Sequence, residues 1–409
     1  MSAKKLVVFG YGGRGRIYAA FAQKYSEKFT LTAIIENDPS RVQQAMQSFQ
    51  NVPIYTDYQA FLNDNIPADI VVIATQDNQH KEHALSMMNA GYDLLLEKPI
   101  ANQKEACEEI YAVSKKLNRN VIVCHVLRYS PFYSTLKRII EGQKIGEVVS
   151  IHTSENVGYY HYAHSYIRGP WRNSELSSPM ILAKCCHDMD IIRYLMGEKC
   201  VAVSSFGSLL YFNSDNAPEG CGAYCSQCNY ADCLYRAQKL YLMEKGRWCA
   251  SYFSPIDASD EEVLEKLKLS QYDKCVFRND NNVVDHQVTI MQFASGKTAC
   301  HTMTGFSKEI YRDIKIYATK AEIVGVMEDN RIEVRYFDGA TETVNVDVSA
   351  ADIGGHNGSD YFMMCSVYDA LNGKKAEGIT YLGASVESHR MCFAAEESRL
   401  HGGNAVAIN

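Results

Sequence analysis

No apolar run in this 409-residue chain approaches the roughly 18 residues that a bilayer-spanning helix needs. A secretory core is missing as well. After Met1 to Lys5, the stretch Leu6-Val7-Val8-Phe9 is cut at once by glycines. These absences lead us to expect a cytoplasmic protein with no membrane partner. Positive charge is in short supply: the formal net charge of -7 argues against nonspecific nucleic-acid binding and points to no partner of its own. Internal repeats and low-complexity linkers are absent. Cysteine, in contrast, is plentiful. Fourteen cysteines without an export signal read as thiols or metal ligands rather than disulfides. With 46% hydrophobic and 22% charged residues, the composition is that of an ordinary globular protein of two or three domains.

The first half alternates strands and helices. An apolar strand from Lys5 to Phe9 runs into Gly10-Tyr11-Gly12-Gly13-Arg14-Gly15, and a helical pattern follows with Ile17, Ala20, Phe21 and Tyr25. A second strand, Thr30 to Ile35, ends at Glu36. Glycine loops are common, but here the loop joins a strand to a helix with an acid about twenty residues on. The glycines permit a tight turn and bring pyrophosphate close to the N–H groups at the helix start. Glu36 would accept from the adenosine ribose hydroxyls and repel a 2′-phosphate, so NAD is expected in preference to NADP. The competing reading is a turn with no ligand.

Asp69 to Ala74 is the next strand, followed by Thr75-Gln76-Asp77-Asn78-Gln79-His80. Thr75, Gln76, Asn78 and His80 are candidate cofactor contacts; equally, Asn78 could serve as a helix cap and His80 as a satisfied surface histidine. Leu94-Leu95-Leu96 reads as a strand buried on both faces and ends in Glu97-Lys98-Pro99. Ligands of open α/β sheets bind beyond the carboxyl ends of strands, so the Lys98 ammonium is placed to look into a crevice. A helix near Gln103 to Leu117 and a strand Asn120 to His125 complete a doubly wound parallel sheet over about 125 residues. We assign residues 1–126 to an NAD-binding Rossmann domain.

Residues 127–409 read as an α+β domain. Pro131 to Glu141 is helical, and a strand runs from Gly146 to Asn156. Later strands alternate as in a mostly antiparallel, open sheet: Val201 to Tyr211, Val283 to Phe293, Lys297 to Phe306, Ile310 to Ala318, Glu322 to Val326, Arg331 to Phe337 and Thr341 to Val346. Ser359 to Leu371 and Gly383 to His401 are late helices, which could pack back on the Rossmann domain. Between them and the first strand lies Gly158 to Arg172, read as a long loop. His161, His164, Tyr166, Arg168, Trp171 and Arg172 there suit stacking on sugar faces and bonding to hydroxyls or an anion. Self-packing of its aromatics, or a subunit interface, competes. Ile181 to Met196 reads as one amphipathic helix that puts Lys184, His187 and Asp188 on a single face, with Asp190 able to orient His187. An exposed ion-pair patch is the bland alternative.

A cysteine-rich insertion near 213–235 carries Cys221, Cys225, Cys228 and Cys233, four thiols in thirteen residues. Four thiolates around a structural zinc ion would staple a segment with few apolar residues. An iron–sulfur cluster, or free or oxidised thiols, are the other readings.

Taken together, the glycine loop, Glu97-Lys98-Pro99 and the distant His187 helix resemble the glucose–fructose oxidoreductase / inositol dehydrogenase / rhizopine-catabolism (Gfo/Idh/MocA) family. The resemblance spans nearly the whole chain, including a helix from Arg128 to Ile140 before Gly146-Glu147-Val148 and the ending Ala394-Ala395-Glu396-Glu397-Ser398. It implies a Rossmann domain, a C-terminal domain whose open sheet makes a dimer or tetramer, NAD(P), and a sugar, cyclitol or similar hydroxyl as substrate. It also implies that Lys98 touches both substrate and cofactor and admits a cis Lys98–Pro99 bond. One departure stands out: the family's Asp four residues before its histidine is Ala183 here, and Lys184 follows.

The expected reaction is hydride transfer to or from nicotinamide. His187 is the expected base, since its ordinary pKa lies nearest neutrality. Lys98 would polarise the reacting oxygen, and Lys184, if it points inward, could replace the missing Asp. Gly10, Gly12, Gly13, Arg14, Gly15, Glu36 and Glu97 complete the expected cofactor site. Arg128, Tyr129 and Asp188 join the expected substrate contacts. Two rivals remain: a glycosidase or lyase using NAD transiently, and a noncatalytic NAD-binding regulator.

Overall fold

The computed structural model describes residues 2–243, 258–351 and 358–408. Six short strands form the first sheet: β1 Lys4–Phe9, β2 Phe29–Ile35, β3 Ile54–Tyr55, β4 Ile70–Ile73, β5 Leu94–Leu96 and β6 Val121–Val123. Every side chain of β4, β5 and β6 is buried. Such strands satisfy both faces only between two helical layers, and this forces the parallel arrangement. The order is β3-β2-β1-β4-β5-β6, with all pairs parallel. The winding reverses between β1 and β4, which opens a crevice at their carboxyl ends.

Nine strands form the second sheet: β7 Val148–Asn156, β8 Cys200–Ser208, β9 His286–Phe293, β10 Thr298–Thr304, β11 Tyr311–Ala318, β12 Ala321–Val326, β13 Arg331–Tyr336, β14 Thr341–Asn345 and β15 Val406–Ala407. Their order is β14-β13-β12-β11-β7-β10-β9-β8-β15, antiparallel except for the β7–β10 pair. The expected fold class, a Rossmann sheet plus a large, mostly antiparallel sheet, is what the chain forms. In β9 the inward Gln287, Thr289, Met291 and Phe293 alternate with outward Val288 and Ile290. One face therefore packs on helices and the other is open.

Two late helices tie the sheets together. Ser359–Leu371 reaches the glycine loop, where Asp360 meets Arg14 at 2.6 Å. Leu382–Leu400 spans both sheets: the Ile100 N–H donates to His389 Nε2 at 2.9 Å, and the Ser205 N–H donates to Ser398 Oγ at 2.9 Å.

Two local expectations are corrected. Ile181 to Met196 is not one helix; Met180–Ala183 and Cys186–Met196 are separate, with the break at Lys184 and Cys185. The break lets Lys184 turn toward Glu155 on β7. Gly158 to Arg172 is not a loop either. Tyr159–Tyr162 is one helical turn, and Ala163–Arg168 continues as a π-helix with every side chain buried. The reason is packing: no glycine or proline interrupts this run, and the core takes Tyr162, Tyr166 and Ile167.

Candidate active site

The glycine loop divides its glycines by role. Gly10 has φ +95°, and a Cβ there would come within 2.6 Å of the Ala74 carbonyl oxygen across the crevice. A Cβ on Gly15 would stand 1.8 Å from the Gly10 oxygen. These two permit the turn itself. Around Gly13, by contrast, a Cβ would meet nothing within 4 Å, and around Gly12 only the Arg41 side chain. Helix Gly13–Lys24 begins there with no acid in its first turn. Its N–H groups thus face open space with a favourable dipole, as a pyrophosphate requires.

Glu36, buried at the end of β2, accepts from the Tyr11 N–H at 2.7 Å and from the Asn37 and Asp38 N–H groups at 2.9 Å. These bonds fix a carboxylate beside the loop, where a ribose would lie. Arg41 stands 3.8 Å from it. We therefore expect calorimetry to find NAD bound about tenfold or more tighter than NADP. Glu36→Ala should narrow the ratio, because Arg41 would then face a 2′-phosphate alone. Equal or tighter NADP binding by the unaltered protein would remove this inference.

Arg14 is engaged by two acids. Its guanidinium pairs with Glu97 at 2.5 Å and with Asp360, while the Tyr18 hydroxyl also donates to Glu97 at 2.5 Å. Burial alone would raise the Glu97 carboxyl, but Arg14 and Tyr18 hold it below its usual range. Arg14 and Glu97 thus tie the glycine loop to the end of β5 and act on the cofactor site through position. His80 is likewise engaged, and buried rather than superficial. Its Nδ1 lies 2.7 Å from the Pro99 carbonyl oxygen and its Nε2 3.2 Å from the Thr75 carbonyl oxygen. Thr75 Oγ1 pairs with His83 Nδ1 at 3.0 Å. Gln76 and Gln79 form a capping box, so capping does not fall to Asn78, which is exposed at the crevice.

Lys98 precedes Pro99 across a cis peptide bond, and its Nζ donates to the Ala183 carbonyl oxygen at 3.1 Å. The contact carries the ammonium from the Rossmann sheet to the break between helices Met180–Ala183 and Cys186–Met196. Around it a ring of polar and aromatic groups closes. Asp77 accepts from Trp171 Nε1 at 3.3 Å and from Ser178 Oγ at 3.4 Å. Trp171 lies 6.4 Å from the Tyr166 ring, and Tyr166 lies 5.7 Å from the His161 ring. Lys184 then pairs with Glu155 at 3.1 Å. Burial raises the Asp77 carboxyl against the opposing pull of His80 and Lys98. Burial, followed by the Lys184 charge, pushes His161 well below its ordinary value, so its imidazole is neutral. Burial also lowers Lys184, and Arg312 and Lys98 add to that effect against the pull of Glu155.

His187 sits in the first turn of Cys186–Met196, its ring 5.7 Å from that of His125, which lies 5.6 Å from His389. Burial lowers His125 to about 4 and His389 to about 3. Behind Lys184, Arg312 on β11 meets Asp188 at 2.9 Å and also pairs with Glu155. Cys185, Asp188 and His301 bring three metal-type donor atoms within 4.8 Å of one another. Arg312 already occupies a cation's place on that carboxylate.

Several expected substrate contacts lie elsewhere. Arg128 is buried in a bidentate pair with Asp190, at 2.6 and 2.7 Å, under the Tyr194 ring. Asp190 is therefore not available to orient His187. Tyr129 accepts from the Thr380 N–H at 3.2 Å. Asp188 is held by Arg312. His164 stacks on Tyr272 at 4.6 Å and pairs with Tyr241 at 2.9 Å. Arg172 pairs with Asp280 at 2.7 Å on the surface. Arg168 turns to the cysteine segment, meeting the Tyr235 and Lys274 carbonyl oxygens at 2.7 Å each.

Two family models account for both sheets. One, an oxidoreductase family with an NAD-binding Rossmann fold, matches residues 4–125; the other, the same family's C-terminal alpha/beta domain, matches residues 137–399. The chain belongs to the Gfo/Idh/MocA oxidoreductase family. Among curated members, it is 24% identical to a putative oxidoreductase, YteT, of Bacillus subtilis, over 91% of this chain and 92% of that protein. It is 27% identical to inositol 2-dehydrogenase 2 of Saccharopolyspora erythraea, over 43% of this chain and 48% of that one. A levoglucosan dehydrogenase in complex with NADH and levoglucosan shares the fold at TM-score 0.73 and 18% identity, each chain covered completely. No described helix is long and apolar enough to cross a membrane.

Membership in the Gfo/Idh/MocA family makes the chain an NAD-binding oxidoreductase. The sequence reading missed Asp77, His125, Glu155 and Arg312. Asp77 was legible in part, because it stands inside the very stretch that drew attention; the other three carry no local signal. The cysteine segment also departs from its expected form. Cys221, Cys225, Cys228 and Cys233 are not drawn to ligating distance as a set; among the described residues, no three of these thiols come within 4.8 Å of one another, with or without Cys275. The sulfur that Cys221 does approach is that of Cys275, at 3.1 Å.

Proposed function

We propose that this chain transfers hydride between a hydroxyl-bearing carbon of a sugar, cyclitol or related polyol and NAD. The observation that carries this reading is the ring formed by Lys98, Asp77, Trp171, Tyr166, His161 and Lys184 beside the open glycine loop. Bound NAD would supply the hydride acceptor. The chain supplies the rest. An ammonium has three N–H donors, and Ala183 takes one from Lys98, leaving others for the reacting oxygen. His187, in the first turn beyond the break, takes the hydroxyl proton. Asp77, His161 and Lys184 bond neighbouring hydroxyls, and the Trp171 and Tyr166 rings cover the apolar face of a sugar. The names of the relatives, inositol 2-dehydrogenase and levoglucosan dehydrogenase, agree with a polyol of this kind. Residues 1–126 would then hold cofactor and lend Lys98 and Asp77 to the substrate, and 127–409 would supply the rest of the substrate site and form the oligomer contact. A structural zinc ion in the cysteine segment belongs to the same reading and takes no part in the chemistry.

Mass spectrometry of products from a panel of free sugars, cyclitols and glycosides, with and without added NAD, tests the reaction. A product two hydrogens lighter, formed only with stoichiometric NAD, is the expected result. Cleavage of a glycoside without net NAD turnover would replace this reading with transient oxidation and elimination. NAD binding with no product from any class would favour a regulator.

The outer face of the second sheet presents Val149, Phe206, Val288, Ile290 and Tyr317 to solvent. Apolar side chains exposed on an open sheet face are expected to be covered by a second copy. Sedimentation should find a dimer or tetramer, and Ile290→Asp should shift it toward monomer. A monomeric unaltered protein would sink that assignment.

A further inference from the structure

The cysteine segment and a distant turn enclose a space that the reaction does not use. Cys221, Cys225, Cys228, Cys233 and Cys275 all line one cavity of about 10 Å³, room for a single ion-sized occupant. Cys275 arrives from a later part of the chain. A bridge between Tyr224 and Lys274, and a bond from the Cys275 N–H to the Ala223 carbonyl oxygen at 2.9 Å, hold it there. The Phe277 N–H donates to the Cys275 sulfur at 3.4 Å and fixes its position in the turn.

Arg168 is the second observation. It is fully buried, its Nη2 lies 3.6 Å from the Cys225 sulfur, and its Nη1 has no hydrogen-bond partner. No carboxylate pairs with it among the described residues. The Lys274 and Tyr235 carbonyl oxygens return part of the lost hydration of its charge, but beside neutral thiols no anion returns the rest. Anionic sulfur would return it.

We propose that this cavity binds one Zn²⁺ through four of its five thiolates, Cys275 among them, with Arg168 as the buried counter-charge. Four thiolates around a divalent ion leave a net charge of about −2, which one guanidinium offsets in part. Each thiol that binds releases a proton, and closing on the ion draws sulfurs to about 2.3 Å from it. The ligand set thus differs from the one that the spacing of Cys221 to Cys233 suggests. Arg168 ends the π-helical turn that carries Tyr166 and follows His161, so the ion fastens the wall of the candidate substrate ring. This last consequence rests on the polyol reading; metal binding does not.

The test is elemental analysis of protein purified without chelator, on the full chain and on Cys275→Ser. About one zinc per chain is expected, with most of it lost in Cys275→Ser. Less than about a tenth of an equivalent in the unaltered protein, or iron with acid-labile sulfide in its place, would overturn the site. Full zinc retention by a folded Cys275→Ser would overturn the ligand assignment. If that variant does not fold, cobalt substitution of the unaltered protein decides: intense thiolate-to-cobalt absorption and tetrahedral d–d bands are expected, and their absence counts against the site. Arg168→Met should weaken zinc about tenfold or more in a chelator competition, the usual scale for a lost partner of the ligands; unchanged affinity would remove its role. NAD affinity, measured by calorimetry on zinc-stripped protein, should stay unchanged. Zinc bound as expected without any polyol oxidation would leave this site standing and the proposed reaction refuted.

Discussion

Lys98→Met should lower turnover about a thousandfold or more while NAD affinity and the circular dichroism spectrum stay close to those of the unaltered protein. The ammonium joins the end of β5 to the helix break, through the Ala183 carbonyl oxygen at 3.1 Å. Met keeps most of the side-chain volume and removes all three donors, so the loss reports charge and hydrogen bonding rather than packing. The fold should tolerate the change because Lys98 is only half-buried and Glu97 keeps its partners Arg14 and Tyr18. His187→Ala should cost on the order of a hundredfold, the scale of a lost general base. Steady-state kinetics on a verified substrate decide the matter. A Lys98→Met enzyme within tenfold of the unaltered rate would mean that the reacting oxygen lies elsewhere.

Arg312→Met should destabilise the protein by about 3–5 kcal/mol in urea unfolding. Arg312 faces two carboxylates, Glu155 at 0% and Asp188 at 3% side-chain exposure. Removing it leaves Asp188 without its ion-pair partner and Glu155 with Lys184 alone. A buried carboxylate in that state must either stay desolvated and charged or take up a proton, and both states cost free energy. The proton-uptake route makes a second outcome measurable: the loss should shrink when Arg312→Met is combined with Asp188→Asn, since the uncompensated charge is then gone. A loss below about 1 kcal/mol would place this cluster with the weak surface pairs and remove it as the frame that holds Lys184. Substrate affinity should fall with stability, because Lys184 is positioned by the same Glu155.

Much of the Rossmann half was legible without coordinates. Leu94 to Leu96, Ile70 to Ile73 and the glycine loop carry local signals: continuous apolar runs, abrupt polar ends and, at Gly10, a glycine where φ is positive. Short elements escaped. The two-residue β3 has no periodicity to detect. Aromatic density misled the reading of Gly158 to Arg172, because the same tyrosines and arginine suit a sugar-facing loop or a buried turn. Arg168 shows the difficulty most plainly. Its residue type suggested an anion in the substrate pocket, while its side chain turned the other way, into the cysteine cavity.

Local chemistry by itself determined the parallel sheet, and it led to the expectations that Glu36 favours NAD and that Lys98 looks into the crevice. Those conclusions depend on patterns within about twenty residues, where strand, turn and helix geometry leave few alternatives. Partnership was decided only by the tertiary structure. Glu155 and Arg312 sit on alternating strands where either could have faced solvent. They are 157 positions apart in the chain yet form one buried pair, because β7 and β11 are hydrogen-bonded neighbours, with Glu155 directly opposite Arg312 in register. The same sheet closure made Asp188 the partner of Arg312 instead of substrate and left Lys184 beside Glu155. A charge's role depends on what lies within a few ångströms of it, and chain spacing constrains that only inside a single element.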